Sequence, residues 1–130
     1  MMDSMRGRTG SHGWGVVLDA PDSRALAQFY ADLLGWPITQ DEPGWTLLTP
    51  PTGVVTLAFQ TESRYVSPVW PAAEGQQQMM LHLDVEVDDL AAAVEDALEL
   101  GATLAEHQPQ TDVRVLLDPV GHPFCLYVTG

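Results

Sequence analysis

The sequence contains no lysine and only five arginines, Arg6, Arg8, Arg24, Arg64 and Arg114, against 18 acidic residues. A net charge of −13 repels phosphate backbones and anionic lipid alike, so neither nucleic acid nor a membrane surface is an expected partner. Cysteine is nearly missing as well. Cys125 stands alone, which excludes an intramolecular disulfide and a cysteine metal cluster within one chain, and fits a reducing, cytosolic setting. No apolar run approaches the length of a membrane span, and residues 1–13 carry two arginines with no apolar stretch behind them, reading as a short flexible tail. A phosphate-cradling glycine loop is lacking too, because Gly10, Gly13 and Gly15 precede a strand and not a helix.

What is present is an ordinary core and a repeat. With 130 residues, 45% of them hydrophobic, the chain suits a single domain over 14–130 that needs no staples. WGVVLDA at 14–20 reads as a buried strand; Asp22 then caps a helix over 23–34, whose Leu26, Phe29, Tyr30, Leu33 and Leu34 share one face and whose stop is Gly35. Strands are expected at 37–41, 45–49 and 54–60, punctuated by Pro43-Gly44 and by Pro50-Pro51-Thr52-Gly53. The same order returns: a strand over 79–87, caps at Asp88 and Asp89, a helix over 90–100 stopped by Gly101, and strands at 102–107, 113–118 and 123–129. The fold expected is therefore α+β, two βαβββ repeats (14–60 and 79–130) joined by a linker over 61–78, forming a cupped mixed sheet with the helices on its outer face.

The duplicated βαβββ pattern, FYADLLGW at the first helix end, HLDVEVDDLAAAVEDALELGAT and the closing DPVGHPFCLY resemble the vicinal oxygen chelate superfamily. That group includes glyoxalase I, extradiol dioxygenases, fosfomycin-modifying enzymes and bleomycin-resistance binding proteins, and the resemblance extends from Trp14 onward. The metal-dependent members place His, Glu or Gln at four cup-facing positions, which carry over to Gly15, Ala58, His82 and Cys125. Only His82 is a ready ligand, so the expectation is no metal and no other cofactor, with His82 the candidate if any metal binds. Gln60 and Asp84 stand two residues from two of these positions, roughly 6 to 7 Å along a strand.

Strand parity puts Leu81, Leu83, Val85 and Val87 toward a helix, and Met80, His82, Asp84 and Glu86 toward the cup. In the last strand it gives Phe124, Leu126 and Val128 to the helix side, leaving Cys125 and Tyr127 for the cup; in the first repeat Leu57 and Phe59 pack inward, while Ala58 and Gln60 face the cleft. Four tryptophans are many for this length, and Trp45, Tyr65 and Trp70 suit a stacking surface. The ligand-binding set is then Trp45, Gln60, Tyr65, Trp70, His82, Cys125 and Tyr127, with no catalytic residue assigned. The function expected is binding of a small planar aromatic or cationic molecule by a homodimer of the bleomycin-resistance type, as in antibiotic sequestration. The alternatives are a metal-dependent lyase or dioxygenase using His82, and an interaction module whose cup takes a partner.

Overall fold

The computed structural model describes residues 5–8 and 12–130; residues 1–4 and 9–11, part of the expected tail, lie outside the described residues. The chain is α+β and divides into two compact units between Glu62 and Ser63, so that 63–78 belongs with the second. The first contains β1 (Trp14–Ala20), α1 (Ser23–Leu34), β2 (Ile38–Glu42), β3 (Trp45–Leu48) and β4 (Val55–Thr61). The second contains β5 (Leu83–Glu86), α2 (Leu90–Leu100), β6 (Thr103–Leu104), β7 (Val113–Leu117) and β8 (Pro123–Tyr127). Sheet orders are β1-β4-β3-β2 and β5-β8-β7-β6, each opening on a parallel pair and continuing antiparallel. The repeat inferred from caps and stops is thus a repeat of topology.

Local chemistry explains the helix limits. Asp22, in extended conformation, accepts from the backbone N–H groups of Arg24 and Ala25, and Gly35 ends α1 at φ 70°, a left-handed conformation open to glycine. Asp89 likewise accepts from Ala92 N, and Gly101 closes α2 at φ 118°. In the first unit α1 lays Leu26, Ala27, Phe29 and Tyr30 on its sheet, and the rings of Tyr30 and Phe59 stack at 5.5 Å. In the second, Leu116, Phe124 and Leu126 are fully buried, while α2 buries only Ala97 and leaves Leu98 and Leu100 exposed.

Three expectations need correction. The strand foreseen over 79–87 is extended only at Leu83–Glu86, because Leu81 N donates to Met79 O at 2.6 Å around Met80, whose φ is 61°. A tight turn of this kind breaks the alternation, so Leu81 is 57% exposed and not packed on a helix. Val128, assigned to the helix side, instead lines a pocket beside Tyr127. The strand foreseen over 102–107 stops at Leu104, since the Gln108 side chain replaces it: Oε1 accepts from Val115 N, and Nε2 donates to Ala105 O and Val115 O. Elsewhere strand limits move by one or two residues.

Candidate functional site

In the second unit the face of the sheet turned away from α2 carries the chemistry. Register pairs Asp84 and Val115 with Cys125, and Glu86 and Val113 with Tyr127, so these side chains form two rows across β5, β8 and β7. Of these, Asp84, Val113, Val115, Cys125 and Tyr127 floor a pocket of about 430 Å³, which Trp70, His82, Pro109, Gln110, Asp112 and Val128 complete. The Arg114 guanidinium donates from Nη1 to the carbonyls of Gln110, Thr111 and Val113, fastening the loop that presents Asp112.

Trp70 is placed by main-chain pairing. Val69 N donates to Gln77 O at 2.8 Å and Val69 bridges to Gln78, which brings residue 70 beside residue 82. The indole then stacks on the His82 ring at 5.0 Å and meets His107 edge-on at 5.2 Å. Trp70 also lines a second groove with Val69, His107 and Leu117.

His82 Nε2 sits 3.1 Å from Asp84 Oδ1. Burial above all, then the Asp84 charge beside it and the hydrogen bond to that carboxylate, push the Cys125 thiol from 9.0 up to about 11. A carboxylate next to a buried thiol is the reverse of the electropositive setting that activates a cysteine, so Cys125 serves as a weak donor and not as a nucleophile. Because the folded-state pKa is raised, this group's contribution to stability is intact below pH 9 and is lost as pH climbs from 9 toward about 11, where the unfolded chain ionises first. Alkylation of the native thiol at pH 8 should run about a hundredfold slower than that of a free cysteine, and the denaturation-midpoint difference between wild type and Cys125→Ala should shrink over the same alkaline window. Rapid alkylation at pH 8 would contradict this.

Of the seven residues singled out from sequence, Trp70, His82, Cys125 and Tyr127 line this one pocket. Tyr65 does not: its hydroxyl donates to Val120 O at 2.8 Å and its ring lies against His122. Trp45 and Gln60 belong to the first unit, where they are register partners and the Gln60 amide donates to Asp19 Oδ1. Sequence reasoning missed Asp112, which sits in a loop with no periodicity to betray it, and missed Val113 and Val115, which the parity of β7 could have supplied.

The family's four-position metal centre does not fit these residues. At Gly15 a Cβ would collide with Thr56 Oγ1 and lie 2.9 Å from the Thr56 carbonyl oxygen, and Ala58, itself buried, offers only a methyl group. The first unit therefore supplies no donor from either of its two positions.

The glyoxalase-like domain family model matches residues 15–127, and the chain belongs to that family. One solved structure of the same fold is a glyoxalase/bleomycin resistance protein/dioxygenase family enzyme from Burkholderia phytofirmans PsJN, 21% identical, TM-score 0.67, with 88% of this chain and 95% of that one covered. Another is a glyoxalase/bleomycin resistance protein from Albidiferax ferrireducens T118, 16% identical, TM-score 0.63, covering 93% of this chain and all (100%) of that one. A third is TnmS3, an antibiotic binding protein from Streptomyces sp. CB03234, 18% identical, TM-score 0.57, with 98% and 100% covered. No curated protein matches the chain. Among the described residues no helix is long and apolar enough to cross a membrane.

Proposed function

We propose that the chain is a small-molecule binding protein whose second unit holds a planar aromatic ligand, preferentially a cation, with antibiotic sequestration as its role. One observation carries this reading: an indole fixed on edge and face by two histidines stands at the rim of a pocket with an apolar floor, Val113 and Val115, and two carboxylates, Asp84 and Asp112. The ring offers a flat surface and the acids offer countercharge, while no lysine exists anywhere to compete for them. Kinship of fold with an antibiotic binding protein and a bleomycin resistance protein supports the class. A cytosolic homodimer remains part of the proposal, resting on the solitary cysteine and on the resemblance. A lyase or dioxygenase of the glyoxalase type has less support, because Gly15 and Ala58 bring no ligand.

The test is titration with a panel of planar aromatic amines, their neutral analogues and bleomycin-type glycopeptides, followed by tryptophan emission and calorimetry. Trp70→Ala should cost about 1 kcal/mol of affinity or more, a loss of roughly fivefold to tenfold, with circular dichroism unchanged. Asp112→Asn should weaken only the cationic compounds and flatten their salt dependence. Equal affinities in wild type and Trp70→Ala, or silence across the panel, would remove the basis for a stacking pocket and favour the interaction-module alternative.

A further inference from the structure

The sequence places Asp84 too far along its strand to join His82 and Cys125, yet the folded chain brings all three together. Their donor atoms, a ring nitrogen, a carboxylate oxygen and a sulfur, lie within 4.8 Å of one another. The cause is local: the turn at Met80 ends just before His82, which precedes β5 and folds back toward Asp84, while Asp84 and Cys125 are direct register partners.

We propose that His82, Asp84 and Cys125 form a binding site for a thiophilic divalent ion of the zinc class, built entirely within the second unit: it keeps positions 82 and 125 of the family's four and takes its third donor from Asp84, which is not one of them, in place of Gly15 and Ala58. One nitrogen, one oxygen and one sulfur donor suit zinc better than the hard cations, which take oxygen ligands. Three protein ligands leave a fourth position, and these three line the pocket described above. The depth of the donors is graded, since Cys125 is buried, His82 half-buried and Asp84 exposed, which gives an ion a path inward. The Trp70 ring stacked on His82 limits rotation of the imidazole. Zinc bonds of about 2.0 to 2.3 Å require the donors to close from their present spacing, and the exposed Asp84 is the side chain free to move. On binding, the thiol proton leaves to solvent as the sulfur–metal bond forms, and the 3.1 Å contact of His82 Nε2 with Asp84 Oδ1 is exchanged for ligation. The site rests on this geometry and not on the identity of the organic ligand, so metal alone is the probe.

Cobalt(II) added to the purified full chain should produce a thiolate-to-metal charge-transfer band that saturates at one equivalent per chain and is displaced by zinc. Calorimetry with zinc in buffers of different ionisation enthalpy should register proton release. Cys125→Ser should abolish the band, His82→Gln should abolish saturable zinc binding, and Asp84→Asn should weaken it by about 10- to 100-fold. Glu95→Gln, an exposed change on α2, should alter nothing. Circular dichroism of each variant separates loss of a ligand from loss of the fold. No charge-transfer band in the wild type, or zinc isotherms that coincide for wild type, Cys125→Ser and His82→Gln, would overturn the proposal and leave the trio as a hydrogen-bonded cluster. Failure of the metal site leaves the amine reading standing, since the titrations with planar amines are run on metal-free protein and read Trp70 and Asp112.

Discussion

Leu126→Asp is expected to unfold the second unit. Leu126 is 1% exposed on β8, flanked by Val85 of β5 and Arg114 of β7, with Phe124 and Leu116 packed nearby on the buried side of the sheet. A carboxylate there is shut off from water, beside an Arg114 whose Nη1 is already committed to the carbonyls of Gln110, Thr111 and Val113, and burial of such a charge costs several kcal/mol, a large share of the roughly 5 to 15 kcal/mol that holds a domain together. Leu81→Asp is the matched control. Its site is 57% exposed, so the change should stay within about 0.5 kcal/mol of wild type. Urea denaturation followed by circular dichroism compares the two. Similar losses for both would mean that the buried face of the second sheet has been misassigned.

The second large effect is expected at Asp118. Its side chain is 0% exposed and anchors the turn that launches β8. Oδ1 accepts from Val120 N and from His122 N, both at 3.0 Å, and Oδ2 lies 2.8 Å from His122 Nδ1. Tyr65 and Ser67 reinforce the same turn by donating their hydroxyls to Val120 O. Asp118→Ala strands two backbone donors and a ring nitrogen in a part-buried turn, each costing about 1 to 3 kcal/mol. The total loss should be about 3 to 5 kcal/mol, as in the breaking of a buried charged network. Asp118→Asn keeps one acceptor and should lose less. Thermal melts of the two variants provide the ranking, and an Asn variant as damaged as the Ala variant would show that the charge, and not the hydrogen-bond geometry, holds the turn. Because Pro123 follows directly, disorder here should also disturb Cys125 and Tyr127.

How far the sequence revealed this arrangement depends on the kind of signal. Helix limits were legible because Asp22, Gly35, Asp89 and Gly101 act on their own neighbours through capping and left-handed backbone. The repeat was legible for the same reason, and with it the fold class. Edges of the second sheet were not, since Gln108 stands in for a strand by a side-chain interaction that no period encodes. Parity worked inside β8 for Cys125 and Tyr127, but failed at Leu81, where a turn had already interrupted the strand. Site residues on strands could be inferred from alternation; Asp112, held by a loop that Arg114 fastens, could not. Tyr65 shows the limit of composition as a guide, because an aromatic in a polar segment suits a pocket wall, whereas its hydroxyl donates to Val120 O and its ring lies against His122.

The crowding at Gly15 bears on the routes open to this sequence under mutation. Two obstacles face any side chain there, the Thr56 hydroxyl and the Thr56 carbonyl oxygen, and only the first can be removed by changing residue 56. A ligand at position 15 would need a smaller residue at 56 and a local parting of β1 from β4, and the first of these changes brings no donor by itself. Ala58 would have to change as well before the first unit could offer two. Acquiring a four-position centre is thus a multi-step passage through intermediates that have lost packing and gained no ligand, whereas single substitutions around Trp70 or Asp112 alter the second-unit pocket at once. Selection acting on this chain meets far fewer barriers in reshaping that pocket than in building a metal centre of the four-position kind.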